Sequence, residues 1–264
     1  MNLEDALPHV PGWRPGAAPR RILHSGVHNR AFRIDTPDGR FVVRLQAANA
    51  AVLGADHARE VLLHSVAARA GIAPPVVFAD PQGRCLVTEY AEGTVWTAAE
   101  MRSQASLERL AELLRSLHSL EIPAVAPFRL DELIRQHCRR LAAAFPDERT
   151  ALERLARDCM TQLEAVGGAK RAPAIVHNDL HHSNIIDGPR LVLVDWEYAG
   201  VADPLFDLAC LLAYYPEARK MGGMLLECAG LGTSATVAML RTAAALFRTL
   251  SDLWTRVGRL DSES

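Results

Sequence analysis

Hydrophobic and polar positions alternate in short segments over the first third of the chain. β-Branched and aromatic residues stand between turn residues there, a pattern typical of strands. The predicted strands cover residues 21–24, 31–35, 41–45, 76–79 and 85–90. Between the third and fourth strands the apolar spacing becomes helical from Val61 to Gly71, and Pro74 ends the helix. The pattern therefore predicts a small five-stranded lobe with one helix.

Beyond Gly93 the apolar spacing is mainly helical. Leucines recur every three or four residues from Leu107 to Leu120, which places them on one face of a long helix. Further helices are predicted over residues 130–145, 151–166, 205–214 and 236–257. A β-rich island interrupts them, with predicted strands at 174–176, 184–186 and 191–194. The chain is thus predicted to be α+β, with an N-terminal lobe of residues 1–91 and a larger, mainly helical lobe of residues 92–264.

The residues most capable of chemistry form two short segments beside predicted strand ends. The first reads HNDLHHSN over residues 177–184, and the second reads VDWEY over residues 194–198. A hairpin between them can return its ends to one place, so we expect Asn184 and Asp195 to face one cavity. An amide oxygen and a carboxylate suit magnesium, which takes phosphates and water as its other ligands. Asp179 would then accept a proton from an attacking hydroxyl, as phosphoryl transfer requires.

The pattern H-x-D-x-x-x-x-N followed by D-W-E resembles a known family, the kinase-like small-molecule phosphotransferases. This family includes the aminoglycoside phosphotransferases and the choline, ethanolamine and thiamine kinases, and the resemblance extends over residues 22–214. It implies a bilobal protein-kinase-like fold with ATP between the lobes. It also implies that Asp179 is the catalytic base and that Asn184 and Asp195 bind magnesium.

The resemblance also implies nucleotide-binding residues in the small lobe. Gly26 and Asn29 belong to a segment that looks like the phosphate-covering turn between the first two strands. Arg44 stands where most kinases have a lysine on the third strand, and Glu60 matches the carboxylate that pairs with that cation. The implied hinge, whose backbone meets adenine, consists of Glu89, Tyr90 and Ala91.

The resemblance also covers two aspartates after the metal segment, and it includes one departure from the usual kinase pattern. Asp203 and Asp207 fit the aspartates that follow the metal segment in the family, and Asp207 is expected to brace the catalytic loop through backbone N–H groups. Arg44 departs from the usual lysine, yet a guanidinium can bind phosphate oxygens bidentately and still pair with Glu60. The thiamine and bacterial choline kinase branch is similar in carrying arginine here, so Arg44 is interpreted as a marker of that branch.

The acceptor is predicted to be a small cationic alcohol. Trp196, Glu197 and Tyr198 directly follow Asp195 and would offer aromatic faces and a counter-charge to a quaternary ammonium or thiazolium group. Further aromatic rings, among them Tyr214, follow in the helical lobe. Residues 201–264 contain seven acidic and six basic residues, whereas a polycationic aminoglycoside would favour an acidic excess.

The predicted function is therefore ATP- and magnesium-dependent phosphorylation of a hydroxyl on a choline-, ethanolamine- or thiamine-like molecule. An aminoglycoside or sugar phosphotransferase is the alternative within the same class. A catalytically weak nucleotide-binding module, with Arg44 as a sign of decay, is the alternative from another class. The sequence leaves the acceptor, the choice between ATP and GTP and the oligomeric state open.

Composition and charge indicate which classes of partner and which cellular compartment are to be expected. A net charge of −2 over 264 residues lacks the basic excess typical of nucleic-acid-binding proteins. Five widely separated cysteines without metal-ligand spacing indicate reduced thiols. Four prolines and two acidic residues within the first 20 residues disfavour a signal peptide, and the longest apolar stretch is too short for a membrane span. We therefore expect a cytoplasmic protein without membrane insertion.

Overall fold

The computed structural model describes residues 2–16, 20–25, 29–46, 55–167 and 171–262. Contacts divide the chain into two compact units. We call Met1–Val95 with Ile186–Glu197 the sheet unit, and Trp96–Ile185 with Tyr198–Ser264 the helical unit. The predicted boundary at residue 91 lies close to the first division, but the sequence pattern did not indicate that residues 186–197 return to the sheet unit.

Ten strands and eight α-helices are described, and short 3-10 turns connect several of them. The strands are β1 (Arg20–Ser25), β2 (Asn29–Thr36), β3 (Gly39–Gln46), β4 (Val76–Ala79), β5 (Cys85–Glu89), β6 (Thr94–Val95), β7 (Ala174–Val176), β8 (Ile185–Asp187), β9 (Leu191–Leu193) and β10 (Gly200–Ala202). The helices are α1 (Leu3–Ala6), α2 (His57–Arg69), α3 (Gln104–His118), α4 (Leu130–Ala144), α5 (Arg149–Val166), α6 (Leu205–Tyr214), α7 (Gly222–Cys228) and α8 (Val237–Ser262).

The sheet unit contains the five predicted strands as one antiparallel sheet in the order β1-β2-β3-β5-β4. Alternation along β3 buries Phe41, Val43 and Leu45 on one face and directs Arg44 to the opposite face. Helix α1 and the turn after it cover the apolar face with Leu7 and Val10. Burying one such side chain contributes roughly 1.5–3 kcal/mol, so this segment stabilises the sheet that carries Arg44.

Strands β6, β8 and β9 form a second, three-stranded sheet. Thr94 pairs with Asp187 and Val95 pairs with Ile186, which attaches residues 186–197 to the sheet unit. Gly93 has a φ of 144°, and a Cβ there would lie 2.5 Å from the backbone oxygen of Asp187. Only glycine permits this approach, so the second sheet depends on it.

The helical unit confirms the predicted helices, with ends shifted by a few residues. In α3 the predicted leucine stripe is core, since Leu107, Leu110, Leu114 and Leu117 are fully buried. Helix α6 packs on α8, while α4 and α5 pack on each other and on α8. Helix α7 begins with two glycines and lacks a sequence signal, and the sequence analysis missed it.

Strand β10, which was also missed, pairs antiparallel with β7 and sets the position of the loop after Val176. Gly200 pairs with Val176, and a Cβ on Gly200 would lie 2.5 Å from the Cβ of Phe128. Because β10 has only three small residues, it shows no alternation of hydrophobic and polar positions that could predict a strand. The predicted strand at 184–186 is shifted to Ile185–Asp187, because Asn184 belongs to the preceding 3-10 turn.

Within the described residues, no helix has both the length and the apolar composition needed to cross a membrane. The five cysteines are all free, and four of them are buried.

One titratable group of the helical core makes stability depend on pH. His137 of α4 is fully buried, and burial, aided by the nearby Arg140 charge, lowers its pKa from 6.5 to about 4. As pH falls below 6.5, the unfolded chain binds a proton that the folded chain cannot hold until about pH 4, so stability decreases across this window.

We expect His137→Leu to remove this pH dependence, which amounts to roughly 3 kcal/mol over the full window. Urea unfolding of the wild type and the variant, at neutral pH and near pH 5, measures the difference. Equal losses of stability in the two proteins on acidification would contradict the assignment.

Candidate active site

The loop that carries Asp179 is held by a buried carboxylate. Asp207 of α6 is fully buried and accepts hydrogen bonds from the backbone N–H groups of His177, at 3.0 Å, and Asn178, at 2.8 Å. The Nε2 atom of His118 lies 2.9 Å from the other carboxylate oxygen. The expected bracing role of Asp207 is thus confirmed, and His118 is a packing residue that satisfies this carboxylate.

Helix α6 contacts the loop at two further positions of the same helical face. Cys210 and Tyr214 follow Asp207 by three and seven residues, the spacing of one face. The Cys210 thiol donates to the Asn178 carbonyl at 3.2 Å, and its sulfur accepts the N–H of Leu180 at 3.4 Å. Burial raises the pKa of Cys210 well above its ordinary value, so the thiol keeps the proton that it donates.

The loop itself bends sharply just before Asp179. Asn178 has a φ of 62°, in the left-handed region that asparagine tolerates better than most residues. Its side-chain amide donates to the carbonyl of Tyr198 at 3.1 Å. Five hydrogen bonds with Asp207, Cys210 and Tyr198 therefore hold the loop that carries the Asp179 carboxylate.

Both carboxylate oxygens of Asp179 accept hydrogen bonds. The Asn184 amide nitrogen donates to Oδ2 at 2.8 Å and to the Asp179 carbonyl at 3.0 Å. The Tyr214 hydroxyl donates to Oδ1 at 2.9 Å. Packing around that hydroxyl and the adjacent Asp179 carboxylate raise the pKa of Tyr214, so the phenol remains the donor. The structure therefore brings Asp179 and Asn184 together as predicted, and it adds Tyr214.

A second tyrosine beside the loop has a structural role. The ring of Tyr215 is buried, and its hydroxyl accepts the N–H of His182 at 2.9 Å and lies 2.6 Å from Nδ1 of the same residue. The ring of Tyr214 is 43% exposed and lies edge-on to the ring of His181. The two neighbours thus differ, because only Tyr214 reaches Asp179.

Asp203 has a role in the fold of the helical unit. Its carboxylate pairs with Arg171 at 2.7 Å, and both side chains are almost completely buried. It also accepts the N–H of Leu205 at 3.0 Å at the start of α6. Arg171 donates further to the carbonyls of Val166 and Ser234. Sequence reasoning missed Arg171, because one arginine among many carries no local signal.

In the sheet unit, Arg44 lies between two carboxylates. Its guanidinium pairs with Glu60 of α2 and with Asp195, and Glu60 is 1% exposed. Burial alone would lower the pKa of Arg44, but the charges of Glu60 and Asp195 raise it above its ordinary value. The same pair holds the pKa of Glu60 below its ordinary value in spite of burial. The predicted pairing of Arg44 with Glu60 is confirmed, and Asp195 joins it.

Glu197 and Asn29 form a second buried contact in this unit. The Asn29 amide nitrogen donates to Glu197 Oε2 at 2.9 Å, although the two residues are 168 positions apart. Burial and the neighbouring Asp195 charge raise the pKa of Glu197 to about 7. Trp196 is fully buried and its indole N–H donates to the Leu193 carbonyl. A buried ring offers no face to a ligand, so Trp196 is a core residue here.

The predicted hinge begins at the end of β5. The N–H of Glu89 donates to the Pro75 carbonyl and the N–H of Tyr90 donates to the Arg40 carbonyl, both at 2.9 Å. These two N–H groups therefore already have protein partners and are not available to a nucleobase in this structure. Gly26 of the predicted phosphate turn lies outside the described residues.

The donor set suits a hard divalent cation. Glu60, Asp195 and Glu197 place three carboxylates around the single guanidinium of Arg44, and Arg44 engages only Oδ1 of Asp195. Asp195 adopts a φ of 62°, an unusual backbone conformation for aspartate. Within the described residues, no cluster of three or more His, Cys, Asp or Glu side chains forms a metal cage. Magnesium usually takes phosphate and water oxygens among its ligands.

The sequence model of the phosphotransferase enzyme family (APH) matches residues 20–241. The chain belongs to this family. It is 25% identical over 207 residues to a LicA protein of Haemophilus influenzae, an alignment that covers 76% of this chain and 60% of that protein. The chain therefore spans less than two thirds of that relative's length.

Two solved structures resemble this member of the family. A choline/ethanolamine kinase family protein from Mesorhizobium loti superposes with a TM-score of 0.77 and 25% identity, over 98% of this chain and 85% of that chain. A LicA structure in complex with AMP superposes with a TM-score of 0.74 and 19% identity, over 99% and 91% of the two chains. These similarities confirm the predicted α+β, protein-kinase-like fold.

The Arg44 arrangement leads to a prediction about the stability of the protein. Arg44→Gln leaves the buried Glu60 carboxylate without its cation, so we expect a loss of about 3–5 kcal/mol in unfolding free energy, measured by urea denaturation. Arg40→Gln on the same strand is the control, because its pair with Glu92 is about half-exposed on both sides and contributes about 1 kcal/mol or less. Equal effects of the two substitutions would show that the Arg44 pair does not stabilise the fold.

Proposed function

We propose that the protein is an ATP- and magnesium-dependent kinase that phosphorylates the hydroxyl of a small cationic alcohol. The observation that carries the proposal is the Asp179 carboxylate, mounted on a loop that Asp207 braces and hydrogen-bonded by Asn184. Membership of the phosphotransferase family over residues 20–241 supports the same reaction class. A half-buried carboxylate on a rigid loop is what an acceptor hydroxyl needs as its proton acceptor.

In the proposed reaction, Asp179 orients the acceptor hydroxyl and takes its proton as the oxygen attacks the γ-phosphorus. Arg44, held by Glu60, contacts the phosphates that are not transferred. Asn184 and Asp195 would hold magnesium, which neutralises charge on the phosphates when bound. Positioning and electrostatics then supply most of the rate.

The acceptor class is proposed from the relatives and from the aromatic rings near Asp179. The Mesorhizobium loti relative is described as a choline/ethanolamine kinase family protein. The exposed ring of Tyr214 and the edge-to-face pair of Tyr198 and Trp254, whose centroids are 6.3 Å apart, are the faces proposed to bind an alkylammonium group. Aminoglycosides are the second candidates, because they are also cationic alcohols acted on within this family.

We also propose a cytoplasmic location. All five cysteines are free, and burial raises the pKa of Cys85, Cys138, Cys159 and Cys210, which keeps these thiols protonated. A reducing compartment suits such a protein.

Asp179→Asn is expected to lower kcat by about 10²- to 10⁴-fold, because the amide keeps the shape of the side chain but cannot accept the proton. The measurement is ADP release with ATP, magnesium and a panel of choline, ethanolamine, thiamine and aminoglycosides. Binding of ATP, measured by calorimetry, should be nearly unchanged. Asp147→Asn, at an exposed carboxylate of the helical unit, is the matched control. Wild-type turnover in Asp179→Asn would exclude the proposed base.

Removal of magnesium with EDTA should abolish turnover, and added magnesium should restore it. We expect Asn184→Ala to raise the magnesium concentration for half-maximal rate by about tenfold or more, since an oxygen ligand is lost. Circular dichroism checks that the variant is folded. Full activity in EDTA, or an unchanged magnesium requirement in Asn184→Ala, would contradict the metal assignment.

A further inference from the structure

The Tyr214 hydroxyl donates a hydrogen bond to Asp179, the proposed catalytic base. An acceptor hydroxyl would need the same position. Asn184 holds Oδ2 of Asp179 at 2.8 Å, and the phenol donates to Oδ1 at 2.9 Å. An acceptor alcohol that gives its proton to Asp179 must make the same kind of contact, an O–H donated to a carboxylate oxygen at hydrogen-bond distance. Tyr214 is thus a stand-in for the acceptor hydroxyl within the chain itself.

The position of Tyr214 allows this contact to be exchanged. It is the last residue of α6, and its ring is 43% exposed, so rotation toward solvent leaves no cavity in the core. The adjacent Tyr215 is 6% exposed, and its hydroxyl accepts a hydrogen bond from the backbone N–H of His182. The neighbouring ring therefore anchors the end of α6 while Tyr214 turns.

We propose that Tyr214 is a positioning residue that caps Asp179 until an acceptor displaces it, and so suppresses transfer of the phosphoryl group to water. The inference rests on the proposed kinase function. It assigns to Tyr214 a task beyond presenting an aromatic face, because the task resides in the hydroxyl and not in the ring.

The suppressed reaction is hydrolysis of ATP. A water molecule on Oδ1 would pass a proton to Asp179 while its oxygen forms a bond to the γ-phosphorus. The bond between the γ-phosphorus and the oxygen that bridges to the β-phosphate breaks, and ADP and inorganic phosphate leave. The phenol on Oδ1 excludes water from this position, whereas an acceptor alcohol replaces the phenol and is phosphorylated.

The test compares the wild type with Tyr214→Phe, which keeps the ring and removes the hydroxyl. We expect acceptor-independent ADP release to rise about tenfold or more, because a hydrogen bond to a charged group no longer competes with water. The KM for the acceptor should fall severalfold, while the KM for ATP and the kcat with acceptor stay within about twofold. A merely structural role would lower kcat and would not separate the two KM values.

Two controls accompany the variant. Tyr215→Phe removes the neighbouring hydroxyl, which does not contact Asp179, and should leave acceptor-independent ADP release at the wild-type level. The double variant Asp179→Asn/Tyr214→Phe should lose the increase, since the excess hydrolysis needs the base. If Tyr214→Phe does not fold, Tyr214→Met, which also lacks the hydroxyl, repeats the measurement of acceptor-independent ADP release alone.

The outcomes separate the inference from the proposed function. An acceptor that accelerates ADP release by the wild type supports the kinase function. If Tyr214→Phe then releases ADP without an acceptor only as fast as the wild type does, the capping role of Tyr214 is overturned. An equal rise in Tyr215→Phe also overturns it. If no acceptor accelerates ADP release by the wild type, the proposed function itself fails.

Discussion

A carboxylate without access to water must be satisfied by hydrogen-bond donors, and in this chain Asp207 receives them from the loop that carries the base. The backbone N–H groups of His177 and Asn178 and the ring of His118 all converge on it. The loop cannot shift without removing two hydrogen-bond donors from this buried carboxylate, which is costly. Helix α6 extends the same constraint along one face, since Cys210 binds the loop carbonyl and Tyr214 reaches Asp179. Helix α6 therefore determines the position of Asp179, the proposed base.

In the sheet unit, a buried carboxylate is neutralised by a cation, since Arg44 pairs with Glu60. Alternation along β3 directs Arg44 away from the apolar face, and the carboxylates of Glu60 and Asp195 meet it there. Glu197 is close enough that its charge also acts on Arg44, and burial together with the neighbouring Asp195 charge raises the pKa of Glu197 to about 7. Three carboxylates thus lie near one guanidinium. This excess of negative charge is the physical reason for expecting a cation among these residues. It also explains why an arginine, with several donors, serves where a single-point ammonium would serve less well.

Periodicity predicted most of the secondary structure, because elements such as β3, α3 and α4 each bury one face. It failed for β10 and α7, whose small residues carry no periodic signal, and for the return of residues 186–197 to the sheet unit, which depends on the approach allowed by Gly93. Asp179, Asn184 and Asp195 were predicted as a site because their spacing is a local motif. The contacts of Arg171 with Asp203, of Asn29 with Glu197 and of Tyr214 with Asp179 join residues 32 to 168 positions apart. No local pattern encodes such pairs, so only the folded chain reveals them.

Phosphorus NMR of the reaction products tests the central claim, transfer of a phosphoryl group to an alcohol, most directly. The purified protein is incubated with ATP, magnesium and each acceptor, and the γ-phosphate is followed to its product. We expect a phosphomonoester resonance that grows in step with ADP for at least one small cationic alcohol. Inorganic phosphate as the sole product with every acceptor, or unchanged ATP, would contradict it.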